Sequence, residues 1–265
     1  MNRKWLFVLP NLFTVSSIFC GIYAMILASG SADPANYFRA AIAILFGAFF
    51  DGCDGRVARL TKTQSEFGVQ LDSLADVITF GAAPSILLYK WVLHSMGLWG
   101  ILIAGLFASC GALRLARFNV MANKETGPSN YFTGLPIPLA ATFVVAIVVA
   151  ATMASEPIAV TPGPIAIVTV VLSYLMVSTV KYHSFKKIKL GTPQLIVMGA
   201  TLIFGALVAN RIGPNFVLLA YASAYVVLGL VEELIFHRRR REALQLAAPV
   251  AVAQDEDDLV DEDDE

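Results

Sequence analysis

Four aspartates, Asp51, Asp54, Asp72 and Asp76, fall within DGCDGRVARLTKTQSEFGVQLDSLAD (51–76), directly after the apolar run AAIAILFGAFF. Asp51 and Asp54 are three residues apart, and Asp72 and Asp76 four apart. On helices each pair shares a face, with Cβ atoms about 5–6 Å apart. Gly68 joins Asp72 and Asp76 in one stripe at spacing four, and Gly55, Ala58 and Gly68 are small enough for a backbone or a ligand to come close. Four carboxylates beside a membrane need compensation, since a single one at mid-bilayer costs about 2.5–3.5 kcal/mol on insertion scales. Two divalent cations would match the four charges, and an all-oxygen donor set suits hard ions such as Mg²⁺ or Mn²⁺. That is the equipment of phosphoryl transfer, in which cations bind phosphate oxygens and an aspartate takes the proton of an incoming hydroxyl. Two plainer readings stay open at this level. Arg56 and Arg59 could pair with the carboxylates, or the stretch could be a charged surface loop.

The elements that must position these residues are membrane helices. Of the 265 residues, 57% are hydrophobic and only 15% charged, whereas soluble domains carry about 25% charged residues. With about 20 apolar residues needed per crossing, eight spans are expected: 5–28, 38–58, 72–92, 98–118, 135–153, 164–180, 193–210 and 215–236. Turn-forming stretches such as SGSADPAN (29–36), NKETGPSN (123–130) and RIGPN (211–215) separate them. The aspartate-rich segment is expected to carry the second helix past the hydrocarbon before the chain turns. The run 5–28 is too long for a signal-peptide core of about 7–15 residues and reads as a retained first span.

Basic residues cluster at one set of ends: Arg3/Lys4, Arg56/Arg59/Lys62, Arg114/Arg117/Lys124, Lys181/Lys186/Lys187/Lys189 and Arg238–Arg241. The positive-inside rule then puts both termini and all four aspartates on the cytoplasmic side of the cell (inner) membrane. Residues 1–241 read as one transmembrane domain, and 242–265, ending DEDDLVDEDDE, as a solvated acidic tail. Basic runs beside spans are topology determinants and headgroup contacts rather than a nucleic-acid surface. Cys20, Cys53 and Cys110 are dispersed in apolar segments, which argues against a disulfide framework or a zinc site.

The eight positions Asp51, Asp54, Gly55, Ala58, Arg59, Gly68, Asp72 and Asp76 resemble, without gap or substitution, the signature D-x-x-D-G-x-x-A-R-x8-G-x3-D-x3-D of the CDP-alcohol phosphatidyltransferases. The resemblance implies that Asp51, Asp54, Asp72 and Asp76 hold two divalent metals and that Asp76 is also the base acting on the acceptor alcohol. It implies that Gly55 and Arg59 bind the CDP-lipid, Arg59 through charge-assisted hydrogen bonds to the diphosphate. Ser65 stands where the family places a small hydroxyl residue near the nucleotide. Asn11 and Thr14, in PNLFT, resemble a first-helix segment bordering the cytidine.

Within the family, SEFGVQLDSLADVITFGAAP (65–84), LRLARFNV (113–120) and GLPIP (134–138) resemble the bacterial and archaeal membrane-embedded phosphatidylserine synthases. That subgroup implies an all-α polytopic homodimer using CDP-diacylglycerol and L-serine, with CMP as the second product. Arg114 and Arg117, followed by Asn119, lie at the cytoplasmic end of the fourth span, where an arginine can grip the serine carboxylate. Equally, both arginines could simply anchor the helix end at the headgroups. Rival readings are a sister enzyme taking glycerol 3-phosphate or inositol 1-phosphate, a CDP-archaeol donor, and, in a different class, a divalent-cation transporter. A transporter calls for polar residues in the middle of several spans, whereas Asp33, Glu66, Glu125, Glu156, Glu232 and Glu233 lie at predicted ends or loops.

Overall fold

Eight helices run through the parts of the chain that the computed structural model describes, residues 3–61, 63, 65–122, 131–154, 160–178, 180–183 and 192–231. They are α1 (Arg3–Ser29), α2 (Pro34–Thr61), α3 (Glu66–Trp91), α4 (Leu98–Ala122), α5 (Ile137–Thr152), α6 (Pro162–Val177), α7 (Thr192–Arg211) and α8 (Pro214–Val231). Each falls on one of the expected spans. The acidic tail 242–265 and the basic residues Lys62, Lys124, Lys186, Lys187, Lys189 and Arg238–Arg241 lie outside the described residues.

Local chemistry sets the helix limits. α2 starts at Pro34, whose missing N–H costs nothing in a first turn, and the Asp33 carboxylate accepts the Ala35 N–H at 3.0 Å as an N-cap. The helix continues through the first aspartate pair to Thr61, as expected. Ser65 caps α3 by accepting the Gly68 N–H at 3.0 Å. α3 is not uniform: Val77–Ala82 form a π turn, closed by a bond from the Ala83 N–H to the Ile78 carbonyl five residues back.

Length and composition qualify four segments to cross a membrane: Leu9–Ser29, Glu66–Trp91, Leu98–Met121 and Pro214–Val231. α5 and α6 are apolar but shorter, as is Thr201–Arg211 within α7. Prolines at the starts of α5 and α6 limit their length, and α2 mixes its apolar run with Arg39 and the aspartates. A further departure from the expected all-helical chain is small. Tyr131–Thr133 (β1) and Lys181–His183 (β2) pair antiparallel, Tyr131 opposite His183. Three-residue strands are too short to give a periodic signal. Gly134 follows β1 with φ +78°, a left-handed conformation that turns the chain into α5.

The core lies where α1, α2 and α3 meet α4, α5 and α6. Ile44, Phe80, Leu87, Leu88, Phe107, Ile137, Val144 and Met176 are fully buried there. Large apolar side chains on the outside, among them Phe19, Phe46, Phe49, Trp99, Ile167 and Tyr174, are mostly exposed. Such a surface fits lipid and is foreign to a soluble monomer. The three cysteines are free and half-buried, as the sequence suggested. α1 packs along α2 over most of its length, and both meet the π turn of α3. That three-helix junction carries the aspartates.

Candidate active site

α2 and α3 bring the two aspartate pairs together across a short turn. Carboxylate oxygens of Asp51, Asp72 and Asp76 lie within 4.8 Å of one another. Asp54, one turn along α2 from Asp51, is outside that trio and is buried against α1, where the Thr14 hydroxyl donates to its Oδ2 at 2.8 Å. The crossing of α1, α2 and α3 explains the division. Asp51 meets α3, while Asp54 meets both α1 and the cleft between them.

Carboxylates this close repel one another unless charge is supplied. Arg114 of α4 is near enough to Asp76 for their charges to attract. One cation cannot balance three or four anions. In addition, Asp76 Oδ1 is buried without a hydrogen-bond partner, a state that costs free energy unless something fills it. An orphaned carboxylate oxygen among convergent hard donors is the environment a divalent cation requires, so the residues present fit Mg²⁺ or Mn²⁺.

Beside the trio opens a cleft of about 270 Å³. Its lining includes Asn11 and Thr14 of α1, Asp54 and Gly55 of α2, and Ser65 and Asp72 at the head of α3. Every small or hydroxyl residue assigned to the nucleotide from sequence therefore borders one space, and two of the aspartates form part of its wall. A Cβ at Gly55 would meet nothing within 4 Å, so the glycine leaves room for something outside the polypeptide. Arg59 is exposed one turn beyond Gly55 and does not line the cleft. The Ser65 hydroxyl is already engaged as the α3 cap, and that of Thr14 is engaged with Asp54.

The three residues assigned to the acceptor separate. Arg114 is 7% exposed, its Nε is buried with no hydrogen-bond partner, and its guanidinium carbon lies 5.7 Å from the centre of the Phe118 ring. Arg117 donates to the carbonyls of Val177 at 2.7 Å and Ser178 at 3.0 Å, closing the C-terminus of α6. Asn119 donates to the Ser73 hydroxyl at 2.8 Å, tying α4 to α3 beside Asp72. Of the three, Arg114 is the one directed at the carboxylates. Sequence reasoning passed over Ser73 and Thr63. Thr63 lines the cleft and shares a 2.7 Å hydroxyl contact with Thr61; the polar TKTQS run between two functional helix ends was the available signal.

The family model described as CDP-alcohol phosphatidyltransferase matches residues 7–180. The chain is 39% identical over 226 residues to the CDP-diacylglycerol–serine O-phosphatidyltransferase of Helicobacter pylori, covering 85% of this chain and 91% of that one. It is 38% identical over 179 residues to the enzyme of the same name from Bacillus subtilis, covering 68% and 92%. With that of Saccharomyces cerevisiae it shares 37% over 138 residues, 49% of each chain.

Proposed function

We propose that this chain, which belongs to the CDP-alcohol phosphatidyltransferase family, transfers the phosphatidyl group of CDP-diacylglycerol to the hydroxyl of L-serine, giving phosphatidylserine and CMP. The observation that carries the reading is the convergence at one cleft of Asn11, Gly55 and Ser65 with the carboxylates of Asp54 and Asp72, backed by Asp51 and Asp76. The family fixes the chemistry. The similarity to serine-transferring enzymes of three organisms supports the acceptor.

In this mechanism the cytidine enters the cleft between α1 and the start of α3, and the diphosphate lies against the aspartates. Asp51, Asp54, Asp72 and Asp76 would hold two divalent cations, Mg²⁺ or Mn²⁺, which when bound supply electrostatic stabilisation of charge building on the phosphates. Arg59, at the cytoplasmic end of α2, adds hydrogen bonds to the diphosphate. Asp76 accepts the proton of the serine hydroxyl. The serine oxygen then bonds to the lipid-side phosphorus, the bond from that phosphorus to the oxygen of CMP breaks, and CMP leaves. Arg114 holds the serine carboxylate, which directs the hydroxyl at Asp76.

The acyl chains stay in lipid throughout, because α1 and α2 present apolar side chains to the membrane beyond the cleft. The same reading has all eight helices crossing the cell (inner) membrane, the site and both termini on the cytoplasmic side, and two copies forming a homodimer.

The test is CMP release by purified protein in detergent with CDP-diacylglycerol and Mn²⁺ or Mg²⁺, each acceptor supplied separately. Release with serine alone, abolished by a chelator, is the expected result. Release only with glycerol 3-phosphate or inositol 1-phosphate would overturn the acceptor while leaving the chemistry, and release with none would overturn the donor.

A further inference from the structure

We infer that α1 is the template that positions both arms of the aspartate site, through Thr14 acting on Asp54 and Ser17 acting on Asp76 by way of Thr79. This rests on the metal-binding reading above.

Thr14, Ser17 and Gly21 are spaced three and four apart and so share one face of α1. Thr14 is 3% exposed and Ser17 fully buried. The Thr14 hydroxyl donates to Asp54 Oδ2 at 2.8 Å, fixing that carboxylate's rotation. One turn deeper, the Thr79 hydroxyl donates to the Ser17 carbonyl at 3.0 Å and lies 3.3 Å from the Ser17 hydroxyl, which donates to it. Thr79 is fully buried and sits in the π turn that begins immediately after Asp76.

A π turn is rare and poorly packed by itself, and it is found mostly where function requires it. Here the surrounding helices are shaped to hold it. A Cβ at Gly47 of α2 would lie 2.5 Å from Thr79 Cγ2, and one at Gly21 of α1 would lie 2.9 Å from the Thr79 Cα. Only glycine at both positions admits the bulge. Because Asp76 is one turn before Thr79 on the same helix, rotation or sliding of the bulge swings Asp76 away from Asp51. α1 touches both arms, so it sets their separation without contributing a carboxylate.

Thr14 and Thr79 are thus positioning residues, and the test separates positioning from mere packing. Mn²⁺ binding to the full-length protein in detergent is followed by electron paramagnetic resonance, which needs neither donor nor acceptor, alongside thermal melting. Thr14→Val and Thr79→Val keep size and remove the hydroxyl. Each is expected to weaken Mn²⁺ binding by about tenfold, the low end of what loss of a ligand-orienting partner does. Thr79→Ser restores the hydroxyl and is expected to bring affinity back to within about twofold of the unmodified protein. Ser85→Ala removes the buried bond from Ser85 to the Ala104 carbonyl on the far part of α3; it is expected to lower the melting point and leave Mn²⁺ affinity unchanged. Unaltered affinity in both valine variants, or an equal loss in Ser85→Ala, would overturn the positioning role. Failure of the unmodified protein to bind Mn²⁺ would instead overturn the metal reading on which the inference rests.

Discussion

Replacing Arg114 tests the acceptor assignment, and the structure sets the size of the effect. The residue is 7% exposed and its Nε is buried and unpartnered, so a carboxylate arriving there meets a donor already stripped of water. A hydrogen bond to a charged group contributes about 1.5–3 kcal/mol, which at 1.36 kcal/mol per decade is about 10- to 150-fold. Arg114→Met keeps an unbranched apolar stem and deletes the charge. Its KM for serine should rise by about that factor while KM for CDP-diacylglycerol stays within about threefold. The decisive comparison uses serinamide, which has the hydroxyl and no carboxylate. In the unmodified enzyme serine should outcompete serinamide by the same 10- to 150-fold; in Arg114→Met the two should be used almost equally. Initial rates of CMP release over an acceptor series measure this, with melting temperature as a check that the variant is folded. Equal losses for serine and serinamide would show that Arg114 supports the site through Asp76 or packing and does not touch the carboxylate, and the reasoning would fail.

Asp76→Asn keeps shape but removes the proton acceptor, and turnover should fall by at least about a hundredfold with CDP-diacylglycerol binding retained in a filter or calorimetric assay. Normal turnover would sink the base assignment. Arg59→Ala should weaken CDP-diacylglycerol binding by about tenfold, one charge-assisted bond at a partly hydrated position, without changing KM for serine. Adding Mg²⁺ or Mn²⁺ at about a hundred times its dissociation constant should stabilise the protein by about 2.7 kcal/mol per site, seen as a higher melting temperature. Asp51→Asn should abolish much of that gain, since it removes one of the three clustered carboxylates.

The sequence made the helices legible because apolar length is the strongest signal a membrane chain carries. Each of the eight expected spans has a helix at its place, four of them long and apolar enough to cross a membrane, and α2 runs past the aspartates to Thr61 as read. The aspartate spacing was legible for the same reason, since helix periodicity turns intervals of three and four into faces. Which carboxylate meets which neighbour was not. Asp51, Asp72 and Asp76 form one group and Asp54 another, a division set by the crossing of three helices that no single-helix pattern encodes. Arg114 and Arg117 looked interchangeable, three residues apart at one helix end. Tertiary packing separates them, with Arg114 buried toward Asp76 and Arg117 spent on the α6 terminus. The π turn at Val77–Ala82 was equally invisible, because the room for its Thr79 is left by Gly21 and Gly47 on other helices.

A carboxylate cluster in a membrane protein invites a transport reading, but the packing of the described residues behind this one favours catalysis. A transported ion needs polar groups continuing to the opposite side. Below Asp76 the described residues close instead. Thr79 is locked against Ser17, and Phe80, Ala83, Leu87 and Leu88 on α3 are fully or almost fully buried against Ile44 and Phe107. An ion at the aspartates would leave as it came, through the cleft bordered by Asn11, Gly55 and Ser65. A cation held at such a dead end beside a cleft would have the use that catalysis requires: the charge would stay while substrates exchange. The buried, largely apolar floor supports the same reading from the chemical side, since low dielectric strengthens every attraction between fixed charge and phosphate.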